Sequence, residues 1–520
     1  MRLLLLAFAV FFAALPATAQ YEVSIVADIN PGSPRSSPSD FAIYDSRLFF
    51  RADDGIHGYE LWAYDATTNE ANLVTDLYPG SDGSFPGSLT VYDGRLFFSA
   101  NDGQHGRELW VYNADTDTAT LAADIHPGSG SSFSGPLPLP KLTLYDDRLF
   151  FRAYDGLTGT ELWGFDAATD EAALVSDINH GSDSSQPSYL TVYDNRLFFQ
   201  ANDGYQTNEG NSGPELWAYD ASTDESSLVV DIRPGIDGST PSSLTVYDDR
   251  LFFAAYDGST GNELWVYDAV TTEATIAADI NPESDLGSDP GSLTIYNGRL
   301  FFRALDWSGI GDELWAYDAA TNEVNLIAEV RPGINFGDLF EWSIAYNGRL
   351  YFDIAEENWG RELWAYDAAT DEIGLVMDIF PGTTDSGVPF GSFPSDFTVL
   401  DNQLFFSACN LEQGCELWGL SSDFVANEPN ATPRPAHLHA PHPNPARDRA
   451  TVSFDIAEPE PVRVEVFDVL GRRVALLEDG PVAAGEHSLT WEADALPSGL
   501  YLVRLTAGDA VQTQRLTLAR

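Results

Sequence analysis

Lysine is nearly absent from this chain: Lys141 is the only one in 520 residues. With arginine counted, 26 basic residues face 80 acidic ones, for a formal net charge of -54. No basic face is available to neutralise phosphates, which excludes nucleic acid as a partner. Long apolar runs are missing beyond the first twenty residues, so no membrane-spanning helix is expected in the mature chain. Cysteine is limited to Cys409 and Cys415, and neither stands near enough histidine to suggest a zinc site. No Gly-x-Ser-x-Gly elbow, zinc-binding helix or phosphate loop occurs.

What the N-terminus does contain is Arg2, the apolar run Leu3 to Leu15, and Ala17, Thr18 and Ala19 as an A-x-A cleavage site. Residues 1–19 are therefore expected to be a secretory signal peptide. The acid excess fits a halophilic protein, because self-repulsion at this charge density opposes compactness until molar salt shortens the screening length to about 3 Å. An acidic extracellular protein at ordinary salt is the alternative.

The tripeptide Glu-Leu-Trp recurs eight times, its tryptophan at Trp62, Trp110, Trp163, Trp217, Trp265, Trp315, Trp364 and Trp418. A period near 50 built from short β-rich runs points to propeller blades. Within one repeat, Ser88 to Tyr92, Arg95 to Ala100, Glu108 to Tyr112 and Thr118 to Ile125 read as four strands, the first two joined by an Asp93-Gly94 turn. The run Leu-Phe-Phe is apolar without alternation, as expected of strands covered on both faces. After Trp418 no fourth strand follows, yet Glu22 to Ile29 matches the fourth-strand sequence Glu70 to Leu77. The expected fold is thus all-β, an eight-bladed propeller over residues 20–423 whose last blade is completed by the N-terminal strand. Cys409 and Cys415 flank one hairpin loop in the eighth repeat, a geometry suited to a disulfide.

Residues 424–440 are rich in Pro, Asn and Ala and read as a linker. Over 441–520 follow the runs Val466 to Val474 (VFDVLGRRV), Ala484 to His487 (AGEH), Leu496 to Leu505 (LPSGLYLVRL) and a terminal Thr-Leu-Ala-Arg. These resemble the C-terminal sorting domain of type IX secretion cargo. The resemblance implies an immunoglobulin-like sandwich that engages the secretion machinery and delivers the chain outside the cell or to its surface. The repeats resemble the E-L-W-x-x-D-G-T repeats of secreted bacterial proteins, with Ala-Tyr-Asp-Ala usually replacing the D-G-T ending. That resemblance implies a propeller and no particular chemistry.

Candidate chemistry lies where the repeat is broken. Loops between strands two and three and between blades vary in length and are expected to share one face, the usual place for binding sites. Trp307, Trp342 and Trp359, with Phe336 and Phe340, fall in such loops of the sixth and seventh repeats and offer flat apolar surfaces to a sugar ring or a partner protein. Packing of the same rings under their loops is the alternative. The Asp-Gly loops at Asp54, Asp102, Asp155, Asp203 and Asp257 suggest calcium weakly, since they lack the alternating carboxylates of a full oxygen shell, and local turn formation accounts for them as well. No catalytic constellation, resident cofactor or metal is expected. The readings carried forward are a monomeric binding or adhesion module for an extracellular glycan or surface protein, a propeller enzyme (lyase or hydrolase) acting on polysaccharide, and a structural surface protein.

Overall fold

The computed structural model describes residues 21–520 apart from 33–34, 134–140, 205–211, 283–286, 307–310, 329–342, 357, 385, 423–436, 439–445, 447–448, 457–459, 469–471, 483–484, 494–495, 497–498, 508–509 and 519–520. The expected signal peptide lies outside the described residues. The chain divides into two compact units, Met1–Asp423 and Phe424–Arg520.

In the first unit, eight four-stranded antiparallel sheets succeed one another. The protein is an eight-bladed propeller. Blade 1 comprises Ser39–Tyr44, Arg47–Asp53, Tyr59–Asp65 and Glu70–Thr75; blade 2 repeats it with Gly87–Tyr92, Arg95–Asn101, Arg107–Asn113 and Thr118–Ala123. The fourth strand of blade 2 stops at Ala123, two residues before the end its sequence suggests. Its continuation is diverted because the Ile125 N–H donates to Glu108 at 2.8 Å. First strands of successive blades touch one another and so surround the axis.

Each apolar cluster of the ring lies between two blades. Phe49, Leu61 and Ala63 of blade 1 pack against Leu96, Phe98, Trp110 and Tyr112 of blade 2, while Leu48, Phe50 and Trp62 turn the other way, toward Phe405 and Leu417 of blade 8. The period-2 alternation of a strand sends neighbouring residues of the Leu-Phe-Phe run to opposite blades, and each run is fully buried for that reason.

Polar staples tie the same interfaces together. The first-strand tyrosine hydroxyl donates to a carbonyl in the next blade's first turn and accepts an N–H from its second: Tyr44 meets Gly94 and Ala114, Tyr92 meets Asp147 and Ala167, and Tyr145 meets Asn195 and Ala221. Beside them, in blades 1 to 6, the arginine that opens the second strand lies over its own blade's phenylalanine, as Arg148 does 5.0 Å from the Phe150 ring. The guanidinium continues to the next blade's tyrosine hydroxyl, 2.5 Å away at Tyr219. These contacts use up the face of short, uniform turns.

Blade 8 consists of Ser395–Leu400, Gln403–Asn410 and Gly414–Ser422, completed by Tyr21–Ala27, whose ladder runs from Tyr21 opposite Ser422 to Ala27 opposite Leu417. Beyond that strand, the Ile29 N–H and the Ser36 N–H and hydroxyl donate to Glu416 at 2.8, 3.1 and 2.5 Å. Leu400 and Gln403 stand where other blades have the tyrosine and the arginine, so the junction of blade 8 with blade 1 lacks both staples. Cys409 and Cys415 pair directly across the second and third strands and are joined as a disulfide.

The second unit is a small all-β domain. His437–Leu438, Arg449–Ile456 and Gly485–Glu492 form one sheet; Arg473–Val482, Glu460–Asp468, Gly499–Ala507 and Ala510–Leu518 form the other. Val452, Phe454, Trp491, Val503 and Leu516 lie in its one core. His437–Leu438 belongs to this domain by pairing with Asp455 and Phe454, although proline and alanine around it give the segment a linker's composition.

Candidate binding face

Where they are described, the loops joining strands two and three lie against the blade-to-blade loops, the Phe85 N–H donating to the Tyr59 carbonyl and the Ser132 N–H to the Arg107 carbonyl. Where a loop joins strands two and three, its aspartate folds the loop on itself: one Asp54 oxygen accepts the N–H groups of Ile56 and His57, and the other lies 2.7 Å from His57 Nδ1. Asp102 and His105 repeat this arrangement. The Asp-Gly loops therefore spend carboxylate oxygens on their own turns. The paired aspartate raises the His57 and His105 pKa values. A closing glycine is required here, since Gly106 has φ +71° and a Cβ would stand 1.8 Å from the Gly130 carbonyl.

Beneath these loops lies the glutamate of each Glu-Leu-Trp. Glu161 accepts the N–H groups of Ile178 and Ser185, and the Ser185 hydroxyl, at 2.9, 2.7 and 2.5 Å. Glu60, Glu108, Glu215, Glu362 and Glu416 accept in the same way. Each glutamate fastens a blade-to-blade loop to the third strand and is fully buried. Burial pushes Glu161, Glu215, Glu263, Glu362 and Glu416 up to about 7 and Glu60 to about 6, with the hydroxyl and amide donors pulling the other way. In Glu60, Glu108, Glu161, Glu215, Glu362 and Glu416 both carboxylate oxygens are occupied by the fold, which makes their role structural.

Closer to the axis the blades cease to be alike. The second residue of the first strand turns into the left-handed region at Asp40 (φ 59°), Ser88 (59°), Tyr189 (58°) and Asp396 (56°), where the ladder also shifts register. In blades 1 and 2 that turn aims the N–H at the preceding blade: the Asp40 N–H donates to Asp396 and the Ser88 N–H to Asp40, at 2.9 and 3.0 Å. Burial, then the Asp40 charge, pushes the Asp396 carboxyl up to about 6 against the pull of that amide.

Some cations at the mouth of the ring come from a slot that varies within an otherwise repetitive second strand: Arg51, Ser99, Arg152, Gln200, Ala254, Arg303, Asp353 and Ser407. Arg51 is held by Asp40 at 3.2 Å, the Ser39 hydroxyl at 2.6 Å and the Pro86 carbonyl at 3.1 Å. Arg361 pairs with Asp353 at 2.5 Å. Arg152 donates to the Ser188 hydroxyl at 3.1 Å. Arg107 opens the third strand of blade 2 close to Arg51, and among the described residues its guanidinium has no hydrogen-bond or ion-pair partner. Burial, and for Arg107 the Arg51 charge, lowers the pKa of both Arg107 and Arg152.

Of the expected aromatic cluster, Trp307, Trp342, Phe336 and Phe340 lie outside the described residues. Trp359 is 43% exposed in the loop joining the second and third strands of blade 7. Two residues on, Arg361 lies 5.9 Å from the ring of Phe393, which is 57% exposed. Sequence reasoning missed Phe393, Tyr189 and the arginines of the mouth. The signal for Arg51 and Arg152 was the variable slot that follows the Leu-Phe-Phe run, and for Arg107 and Arg361 the equally variable position just before Glu-Leu-Trp.

Residues 441–519 match the family model of the secretion system C-terminal sorting domain. The tail is a sorting domain. Such a sorting domain marks the chain for type IX export to the cell surface or the extracellular space, and no helix among the described residues is long and apolar enough to cross a membrane. Residues 147–375, inside the propeller, match the model described as outer membrane protein assembly factor BamB. No curated protein matches the sorted chain. Among solved structures, it resembles a prolyl endopeptidase at 13% identity and TM-score 0.44, covering 74% of this chain and 56% of that one. An oligogalacturonate lyase in complex with manganese follows at 11% identity and TM-score 0.42, over 79% and 96%. PorZ, a surface component of the type IX secretion system of Porphyromonas gingivalis, is 12% identical with TM-score 0.34, over 92% and 75%.

Proposed function

We propose that this secreted propeller is a glycan-binding module whose ligand lies on the loop face. The observation that supports the reading is the exposure of Trp359 and of Phe393, the latter beside Arg361 two residues after Trp359, whereas aromatics on the opposite face are spent on blade staples. An exposed ring offers a sugar a flat apolar surface worth roughly 0.5–1.5 kcal/mol beyond its area burial. Trp307, Trp342, Phe336 and Phe340 are proposed as further contacts of this sector. Profiling the full chain on a glycan array in molar salt, alongside Trp359→Ala and Phe393→Ala, tests the proposal. Each variant is expected to bind severalfold more weakly with an unchanged melting temperature. Unchanged affinity for every glycan bound would refute it.

A hydrolase or lyase is the second reading, favoured by Asp40 and Asp396 meeting at the axis with the Asp396 carboxyl raised to about 6. A carboxyl raised toward the working pH suits general acid work. Release of new chain ends from a bound polysaccharide, lost in Asp396→Asn, is the outcome that would favour it over binding alone.

A further inference from the structure

A protein with 80 acidic and 26 basic residues has few cations to leave without a counter-ion. Most arginines of the ring are accounted for. Those at the short turns lie over phenylalanines, Arg233 pairs with Asp237 at 2.9 Å, and Arg51 and Arg361 pair with Asp40 and Asp353. Arg107 and Arg152, on neighbouring blades, differ. Both are partly withdrawn from water, no described carboxylate pairs with either, and between them only one hydrogen bond, from Arg152 to Ser188, is made by a guanidinium. A cation removed from water without a partner is costly, and five N–H donors in a rigid fork fit the planar oxygens of a carboxylate.

Aromatic side chains stand in the same stretch of the mouth. Tyr59 and Phe85, both partly exposed, stand 5.2 Å apart beside Arg51, with Ser84 next to Phe85 accepting the N–H of Asn101, the strand partner of Arg107; Tyr189, 49% exposed, follows Ser188, whose hydroxyl accepts from Arg152. Guanidinium forks on successive blades, with stacking surfaces to either side, suit a chain that repeats both a ring and a carboxylate.

We propose that the mouth of the propeller at blades 1 to 4 is a binding site for an acidic polysaccharide, in which Arg107 and Arg152 take carboxylates of successive uronate residues while Tyr59, Phe85 and Tyr189 stack against the sugars. The proposal rests on the loop face being the glycan-binding face and names the class of glycan. A small inorganic anion would need one fork. A strand of repeated uronates uses both.

Calorimetric titration of the full chain with an oligomannuronate hexamer and with its methyl ester, which keeps the rings and removes the charges, tests the assignment. The acid form is expected to bind at least tenfold more tightly than the ester, about 1.4 kcal/mol. Arg107→Gln and Arg152→Gln are each expected to erase at least tenfold of that affinity while leaving the affinity for the ester unchanged. If Arg107→Gln does not fold, Arg152→Gln and the ester comparison decide the matter. Equal binding of acid and ester, or wild-type affinity in a folded variant, overturns the proposal while leaving the loop face as a glycan site. Failure to bind any glycan removes both readings. Poly-glutamate binding as tightly as the hexamer overturns the polysaccharide assignment in favour of an acidic protein.

Discussion

Removing Tyr21 to Ser36 tests what holds the ring shut. Val23 and Ile25 are half-buried against blades 7 and 8, Val26 packs between blades 8 and 1, and Ile29 is buried there. Full burial of an aliphatic side chain contributes about 2 kcal/mol, so three half-buried chains and one buried chain contribute about 5 kcal/mol. The three donors that Ile29 and Ser36 give Glu416 would leave a buried acceptor unsatisfied, which costs roughly 1–3 kcal/mol. Unfolding entropy near 2.1 cal/mol/K per residue over a ring of about 400 residues gives about 0.8 kcal/mol/K, so a loss of about 7 kcal/mol lowers the melting temperature by about 8 °C. Scanning calorimetry of the chain begun at Ser37, in molar salt, measures this, and excess Tyr21–Ser36 peptide is expected to restore the loss where a scrambled peptide does not. An unchanged melting temperature in the truncated chain would show that blade 8 is closed by something other than this strand.

Two further outcomes follow from the staples and the buried glutamates. Because the folded-state pKa values of Glu161, Glu215, Glu263, Glu362 and Glu416 rise to about 7, the native ring holds protons that the unfolded chain has released above pH 4.5. Stability should then be greatest below that pH and decline as pH rises to about 7, by about 1.4 kcal/mol per unit for each extra proton held. Glu161→Gln, which mimics the protonated side chain, should flatten the slope of denaturation midpoint against pH; a slope identical to wild type would show that surface repulsion alone causes it. Leu400→Tyr with Gln403→Arg should supply the staples missing between blades 8 and 1, using the Ser46 carbonyl and the Ala66 N–H, and raise stability by about 1 kcal/mol, read as a higher denaturation midpoint. A lower midpoint would show that this junction cannot accommodate them.

The architecture was legible because its signals are local and repeated eightfold. Glu-Leu-Trp marks every third strand, Leu-Phe-Phe or Leu-Tyr-Phe every second, and the likeness of Glu22–Ile29 to Glu70–Leu77 betrays the borrowed strand. Contacts between blades were not legible. Tyr44 acts on Gly94 and Ala114, and Arg148 on Tyr219, across 50 to 71 positions, and nothing local shows which neighbour a repeated side chain will meet. The mouth was obscured for another reason. Arg51, Arg107 and Arg152 look like ordinary strand residues until the first strands are wrapped around an axis, and only then does Arg107 prove to lack the acid that Arg51 has.

The tyrosine staples of blades 1 to 7 point from one blade to the following one, as do arginines such as Arg148 and Arg299, and the series ends at Leu400 and Gln403. The circle therefore has a beginning and an end in time as well as in sequence. Blades 1 to 7 can button onto one another in the order in which the chain is made. The strand made first is used last: Tyr21 must wait for Ser422, about 400 residues later, which at roughly 5–20 residues per second is on the order of 20 to 80 s of synthesis. During that interval the segment has no sheet to join, and the open edge of blade 8, once made, has no other strand of its own. Whatever carries this chain out of the cell must either keep those two edges apart or deliver them already closed.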